Sequence, residues 1–319
     1  MSTLRQNTVT DPGTPAGTNA GTDAGTGSQR LRGPYWVAAR THRSTLQGAA
    51  GLLVLAVLLL IAIRVWGGGL AGGYWTDTRI VENAASVIAL LPYLIAAFVA
   101  GPVVARELES GTHQLLWTQS VSPVRWFAAK LAVPTALALV GSVVLDGLYR
   151  WVWSTSRHED VALNWYSDSV YHAIGPIGIA TALLVVPLGA LTGLLIRRTV
   201  PAIVTSLIAT AAVSSVLEAV RGHLWPVVTV RTSLATGYPA MNGMVTGEGA
   251  VTTSGAHVAD PICVDDKQCQ AAHHLAGYFR SSHPVSHFWP LQLVETGILL
   301  ALAAVLALVV FRVVKRMAV

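Results

Sequence analysis

Residues 291–314 read LQLVETGILLALAAVLALVVFRVV, and this run decides the class of protein. Only Glu295 and Arg312 are charged within it. A helix of about 20 mostly apolar residues is long enough to cross the roughly 30 Å hydrocarbon core of a bilayer. A further apolar run, residues 51–63, contains no charged side chain at all. Such runs predict helices that span a membrane.

The composition of the whole chain supports the same prediction. Of its 319 residues, 53% are apolar and 12% are charged, and the mean hydropathy is +0.55. An ordinary soluble domain carries about 25% charged residues. Half that density leaves too little polar surface to cover a water-soluble globule, which excludes a soluble enzyme.

Hydropathy along the chain predicts an all-α polytopic membrane protein with six transmembrane helices. Residues 1–32 precede them as a Thr/Gly/Ala-rich tail that we expect to be disordered, and no cleaved signal peptide is expected. The six predicted spans are approximately residues 46–66, 83–104, 127–149, 171–196, 200–219 and 291–314.

The distribution of charge predicts that both termini are cytoplasmic. With that orientation, the inner side carries 13 of the 21 basic residues and four of the 16 acidic ones. The outer side is then acidic, although the net charge of the chain is +5. Lys and Arg near the ends of spans are retained on the cytoplasmic side. We therefore predict a multi-pass protein of the plasma membrane.

The longest predicted outer segment, residues 220–290, is too long for a simple connection and should have structure of its own. It contains both cysteines of the chain, Cys263 and Cys269. Because the outer face of a cell membrane is oxidising, a short disulfide loop is the first interpretation. His273 and His274 make a metal site the alternative, although no further ligand spacing supports one, and we predict no metal.

The loop between the second and third predicted spans is the segment that we expect to carry the function. Residues 105–130 read ARELESGTHQLLWTQSVSPVRWFAAK. Glu107 and Glu109 lie on the side where acids are otherwise scarce. Gly111 permits a sharp reversal of the chain, after which Thr112 would cap a short helix.

This short helix is predicted to be amphipathic, with Leu115 and Leu116 on its apolar side. Ser122, followed by Pro123, is then expected to cap the third span. Arg125 would anchor that span at the lipid headgroups. On physical grounds alone, a helix that merely connects two spans is as good an interpretation as a functional one.

The loop resembles the coupling segment of type-2 ABC transporter permeases, in particular those of actinobacterial type. In that family, the corresponding stretch lies between the second and third spans and docks into a separate ATP-binding subunit. The residues that carry the resemblance are Glu107, Glu109, Gly111, Thr112, Leu115, Leu116, Arg125 and Lys130.

The resemblance implies the rest of the organisation. Residues 33–45 would form an interfacial elbow helix, residues 105–126 would contain a cytoplasmic coupling helix, and residues 46–319 would form the permease domain. No Gly-x-x-x-x-Gly-Lys-Ser/Thr run occurs in the sequence, so ATP and Mg²⁺ would bind to the partner ATPase and not to this chain. The expected partners are that subunit, a second permease copy and membrane lipid, with no nucleic acid.

Charged residues within or near the outer ends of the spans are candidates for an outer gate. With Arg64 or Arg221 as counter-ions, the acids would control an exit from the membrane; the alternative is that they only anchor the spans at the interface. The gate candidates are Arg64, Asp146, Glu218 and Glu295.

The sequence therefore favours the permease subunit of an ABC exporter that moves an apolar or amphipathic compound outward. A membrane sensor or scaffold is the alternative, because the outer loop carries five histidines from His257 to His287 that would respond to a ligand or to pH. A membrane-embedded enzyme is disfavoured, since neither His-Glu-x-x-His nor Gly-x-Ser-x-Gly occurs. The identity of the cargo, and pairing with itself or with a paralogue, stay open.

Overall fold

The computed structural model describes residues 43–70, 74–97, 101–110, 122–154, 163–263 and 266–317. All of them belong to one compact unit, Gly33–Val319. Its helices are α1 (Arg43–Leu70), α2 (Tyr74–Ala89), α3 (Leu91–Ile95), α4 (Gly101–Glu109), α5 (Pro123–Trp153), α6 (Asp168–Ala173), α7 (Pro176–Ile196), α8 (Thr199–Val220), α9 (Lys267–Ala272) and α10 (Phe288–Met317). Its strands are β1 (Val228–Ser233), β2 (Met244–Thr252), β3 (His257–Val258) and β4 (Leu275–His283).

Five helical segments of the described residues are long and apolar enough to cross a membrane. They overlap the second to sixth predicted spans and are Thr78–Ile95, Val124–Trp153, Pro176–Ile196, Thr199–His223 and Val285–Met317. The first predicted span lies on α1, whose apolar part is the shorter segment Ala50–Trp66. The chain is thus a multi-pass membrane protein, and the first of the six predicted spans, residues 46–66, stays a prediction.

Helix α7 is the centre of the helical part. It contains no charged residue, most of its side chains are buried, and it packs against α4, α5, α8 and α10. Small residues allow these close approaches: a Cβ on Gly193 would lie 3.1 Å from the Cβ of Val104 and 3.2 Å from the backbone nitrogen of Ala105, both in α4. Many large apolar side chains of α1, α8 and α10 are instead exposed, as a lipid-facing surface requires.

The fourth predicted span, residues 171–196, is not one helix. It is divided into α6 and α7, because the chain leaves the helical conformation at Gly175, immediately before Pro176. Proline has no N–H and disfavours a helical residue before it. Gly175 is also required for packing, since a Cβ there would lie 2.4 Å from the side chain of Gln292.

The second predicted span, residues 83–104, also differs from the structure. The helical chain begins earlier, at Tyr74, and is interrupted at Leu90, two residues before Pro92. It resumes as α3 at Leu91, and α4 begins at Gly101, so Glu107 and Glu109 lie in the last turn of a helix instead of in the loop that was predicted to begin at residue 105. Residues 111–121, where the coupling helix was predicted, and the elbow up to residue 42 lie outside the described residues.

The all-α prediction is correct for most of the chain but wrong for residues 220–290, the predicted outer segment. Between α8 and α10 the chain forms an antiparallel four-stranded sheet with the order β1-β4-β2-β3. The sequence Val-Thr-Val-Arg-Thr-Ser of β1 is β-branched at four of its six positions, which favours an extended strand. The hydropathy scan that identified the spans does not register such short polar strands.

A small core lies against one side of this sheet. Tyr238 stacks on Tyr278 with the ring centres 4.4 Å apart. Cys263 and Cys269, which are six residues apart in the sequence, are joined by a disulfide bond beside this core. Because both sulfur atoms are bonded to one another, neither is a thiolate for the metal site that His273 had suggested.

Candidate functional site

Polar and charged contacts between the helices cluster at two ends of the helical part. The motif end contains Glu109, the start of α5 and the start of α8; the sheet end contains the turn Arg221–His223 and the start of α10. Glu107 and Glu109, which form a Glu-x-Glu motif, lie at the motif end, on the last turn of α4.

Glu109 caps a helix that lies 90 residues further along the chain. Its Oε2 atom accepts hydrogen bonds from the backbone N–H of Thr199, at 2.9 Å, and from the Thr199 hydroxyl, at 2.5 Å. Thr199 is the first residue of α8, where free N–H groups favour an anion, and the preceding residue, Arg198, provides no side-chain cap. The Thr199 hydroxyl and backbone bonds, together with the Arg198 charge, lower the pKa of Glu109.

Glu107 connects the same helix to α5. Its carboxylate forms an ion pair with Lys130, whose ammonium group also lies 4.5 Å from the ring centre of Trp126. Both partners of the ion pair are largely buried, so this contact is better shielded from water than a surface ion pair. The two motif acids therefore connect α4 to α5 and to α8 at the same end of the helices.

The remaining predicted motif residues are only partly described. Arg125 lies in the first turn of α5 and is exposed. Ser122 is the N-cap of α5, as predicted, although its hydroxyl makes no capping hydrogen bond. Gly111, Thr112, Leu115 and Leu116 lie outside the described residues.

At the sheet end, a buried ion pair joins α10 to the turn that follows α8. Arg221 Nε lies 2.9 Å from Oε1 of Glu295, and the two residues are 3% and 0% exposed. Arg221 Nη1 also lies 3.0 Å from Oδ1 of Asp168, which is mostly exposed. Removing one partner of a buried ion pair leaves an uncompensated charge, so these residues depend on each other.

Tyr171 and Gln292 extend this cluster to the break between α6 and α7. The Tyr171 hydroxyl donates to Oε1 of Glu295 at 3.1 Å, and the Arg221 guanidinium lies 4.0 Å from the Tyr171 ring centre. Gln292 donates to the Tyr171 carbonyl and accepts from the backbone N–H of Ile177. One side chain of α10 thus replaces the helical hydrogen bonding that is lost at the break.

Part of the chain, with residues from both ends, matches a known protein family. Residues 69–221 match the family model described as "ABC-2 membrane transporter related". The matched region supports a type-2 ABC transporter permease. The resemblance found in the loop motif is thereby confirmed over just under half of the chain, from the end of α1 to Arg221. No curated protein matches the chain.

The permease family has two direct consequences for this chain. Its domain is the transmembrane component of a transporter and not a nucleotide-binding domain. Members of the family associate with an ABC ATP-binding subunit. The matched residues of the permease include both motif acids and Arg221, whereas Glu295 and the sheet lie beyond the match.

The four predicted gate residues occupy three separate places in the permease. Glu295 is paired with Arg221, and Glu218 lies exposed beside Asp168. Arg64 is stacked on Trp151, with its Cζ atom 5.1 Å from the ring centre, and is not the counter-ion of Glu218. Asp146 is buried apart from this cluster.

The sequence analysis missed Asp168, Tyr171 and Gln292 as members of the sheet-end cluster. A signal existed for one of them: Gln292 and Glu295 are polar, lie in an otherwise apolar run and are three residues apart, which places them on one helix face. Asp168 and Tyr171 follow a loop of ordinary polar composition and have no such signal.

A histidine pair joins the sheet of the permease to its helices. His283, which is completely buried at the end of β4, lies with Nε2 3.1 Å from the carbonyl oxygen of Gly222. A carbonyl only accepts, so Nε2 carries the proton. Nδ1 of His283 then accepts from Nδ1 of His287 at 3.1 Å, an arrangement that requires neutral His283. Burial and the neighbouring His287 lower the pKa of His283, while the Gly222 carbonyl opposes this.

We expect acidification to weaken this junction. A histidine whose pKa is lowered by folding contributes stability above its unfolded pKa, and loses it as the pH falls towards the folded value. The thermal unfolding midpoint of the permease in nanodiscs should therefore fall between about pH 7.5 and about pH 5.5, and the fall should be smaller in His283→Gln. The exposed His273→Gln serves as the control and should behave as wild type; an equal pH dependence in all three proteins would contradict the assignment.

Proposed function

We propose that this chain is the membrane-spanning permease subunit of an ABC exporter, in which it forms the translocation pathway. It would be coupled to a separate ATP-binding subunit through residues 105–126. The family match supports the class of protein. The observation that carries the coupling is that Glu107 and Glu109, at the start of this segment, contact α5 and α8.

These contacts supply a physical route from the loop to the membrane. Residues 111–121 connect α4 to α5, so a subunit that binds the loop acts on the ends of both helices. A displacement of α4 is passed to α8 through the hydrogen bonds between Glu109 and Thr199. It is passed to α5 through the ion pair between Glu107 and Lys130. ATP binding and hydrolysis in the partner would thus rearrange the spans, which is the requirement of alternating access.

The charges at the motif end support a cytoplasmic orientation. Arg106, Arg125, Arg197 and Arg198 are all exposed there. Exposed basic residues at the ends of spans are typical of the cytoplasmic side. Both termini would then be cytoplasmic, with residues 220–290 outside the cell.

The sheet-end cluster would act as the outer closure of the pathway. Arg221 follows α8 and Glu295 lies on α10, so any separation of these helices opens the buried pair. Glu218 and Asp168 would lie at the entrance to the Arg221–Glu295 pair, where water would reach the pair on opening. In the closed state of such a gate both charges would be shielded from water, as Arg221 and Glu295 are.

A single permease would not enclose a pathway alone. Large apolar side chains are exposed along α1 and α8, including Leu52, Leu58, Val200 and Ile208, and they face either lipid or a second copy. We propose two permeases, identical or paralogous, with two ATP-binding subunits. The cargo would be apolar or amphipathic.

The loop itself should be the docking surface. Replacing both Leu115 and Leu116 by aspartate is expected to reduce recovery of a co-expressed ABC ATP-binding subunit by about tenfold or more, because buried apolar anchors dominate such interfaces. Recovery is measured by affinity purification of the full-length chain from membranes, with gel filtration to verify that the variant is folded.

Ile262→Asp is the matched control for this experiment. Ile262 is 77% exposed and lies in the sheet-end segment, so the same change of chemistry there should leave recovery of the ATP-binding subunit unchanged. Equal recovery with the Leu115 and Leu116 variant and with wild type would show that the subunit docks elsewhere.

If wild type retains no ATP-binding subunit, the transporter proposal fails as a whole. The alternative, a sensor or scaffold with a responsive outer loop, would then be favoured. The observation that supports it is the junction of His283 and His287, whose hydrogen bonds depend on a neutral His283.

A further inference from the structure

Asp146 has an environment unlike that of any other acid in the described helices. It lies in α5 and is 6% exposed, and its Oδ2 atom is buried without a hydrogen-bond partner. None of the ion pairs among the described residues includes it. A charge within a bilayer costs roughly 2.5–3.5 kcal/mol on insertion scales and is found paired or in a functional site.

A small cavity adjoins this carboxylate. Ile88, Leu91 and Pro92 line its apolar side. The other side is lined by Ser142, Asp146, His172 and Gly178. The cavity has space for about one water-sized particle. An occupant must therefore be a single small particle and not a cargo molecule.

Oxygen atoms converge on this cavity from two helices, α5 and α6. A Cβ built on Gly178 would lie 2.4 Å from the carbonyl oxygen of His172 and 3.0 Å from Oδ2 of Asp146. The glycine therefore leaves open the point at which both oxygens meet. Ser142 precedes Asp146 by one helical turn, is 2% exposed, and its hydroxyl also has no partner.

The donor set indicates the chemical class of the occupant. A carboxylate, a carbonyl and a hydroxyl oxygen are hard ligands of the kind that bind alkali and alkaline-earth cations, whereas softer metals prefer nitrogen or sulfur. With one carboxylate, a monovalent cation neutralises the site, while a divalent cation would leave a net charge in the apolar interior.

We propose that Asp146, Ser142 and the carbonyl group of His172 hold one small monovalent cation, for which sodium is the test ion. The cation would connect α5 to the break between α6 and α7, beside the end of α2. This site is independent of the coupling loop, so it stands or fails separately from the proposed ATP-driven transport.

Binding of ²²Na⁺ to the purified full-length chain in nanodiscs tests the proposal, with choline chloride holding the ionic strength constant. Wild type should bind about one sodium ion per chain in a saturable manner, and sodium should raise its thermal unfolding midpoint. Asp146→Asn, which keeps the volume and removes the charge, should lose both effects. Ser142→Ala should weaken binding by about tenfold, as the loss of one supporting ligand does in metal sites.

Glu248→Gln is the control, because it removes an exposed acid in β2, away from the cavity, and should bind sodium as wild type does. Folded wild-type protein that shows no saturable sodium binding would overturn the proposal, and so would undiminished binding in Asp146→Asn. If Asp146→Asn does not fold, the single variants Ser142→Ala and Gly178→Ala take its place. Unchanged sodium binding in both of these folded variants would overturn the proposal.

Discussion

Replacing Arg221 by methionine is expected to lower the free energy of unfolding by about 3–5 kcal/mol, because the change strands a buried carboxylate. Glu295 is completely buried and accepts from Arg221 at 2.9 Å. Methionine preserves much of the arginine volume but supplies no charge and no donor. The measurement is equilibrium unfolding in mixed micelles, monitored by tryptophan fluorescence.

Two further variants separate the charge effect from a simple packing effect. Arg231→Met replaces an exposed arginine in β1 and should leave the free energy of unfolding nearly unchanged. Combining Arg221→Met with Glu295→Gln removes both charges and should recover most of the loss. A double variant as unstable as Arg221→Met alone would show that the pair does not carry the stability that we assign to it.

Glu109→Ala is expected to uncouple ATP turnover from the membrane helices while leaving the ATP-binding subunit bound. The change removes both hydrogen bonds that Thr199 donates to the carboxylate, and with them the direct contact between the motif and α8. Coupling between distant sites typically amounts to about 5–150-fold, and we expect a fall of about tenfold in the turnover that depends on the permease. Turnover is measured on the co-purified complex in nanodiscs.

A double-mutant cycle tests whether the contact itself is responsible. Thr199→Val removes the hydroxyl and should give a smaller loss than Glu109→Ala, because the backbone N–H still donates to the carboxylate. The combined variant should be no worse than Glu109→Ala alone. Glu248→Ala, an exposed acid in β2, is the control and should have wild-type turnover. Fully additive losses from Glu109→Ala and Thr199→Val would contradict transmission through this contact.

The sequence predicted those features that depend on local composition. The run 291–314 became the greater part of α10, and most of the predicted span 171–196 became the central helix α7. Pro123 begins α5 directly after the predicted cap at Ser122. These predictions succeeded because length and hydropathy alone determine which segments can enter a bilayer.

The features that could not be predicted depend on contacts between distant parts of the chain. Glu109 was identified as a candidate, but its partner Thr199 is 90 residues away, and no local pattern connects them. The same holds for Gln292 and Tyr171, which are 121 residues apart. Hydropathy also missed the β-sheet, since strands outside a bilayer need only short alternating segments that a window for membrane spans averages away.

The predicted gate shows why charged residues near span ends are difficult to assign from sequence. Asp146 and Glu295 occupy comparable positions in apolar runs, yet Glu295 faces Arg221, whereas Asp146 faces a cavity lined by unpartnered oxygens. Their different surroundings are set by which helices pack against them. Composition and depth alone would assign both the same role.

The rate of ATP hydrolysis by the ATP-binding subunit, measured in nanodiscs with and without this chain, tests the central claim most directly. We predict that the subunit co-purifies with the wild-type chain, that hydrolysis depends on the chain, and that the Glu107→Ala, Glu109→Ala double variant loses this dependence. A subunit that does not bind the wild-type chain, or a rate that is the same with wild type, with the double variant and without the chain, would contradict the account.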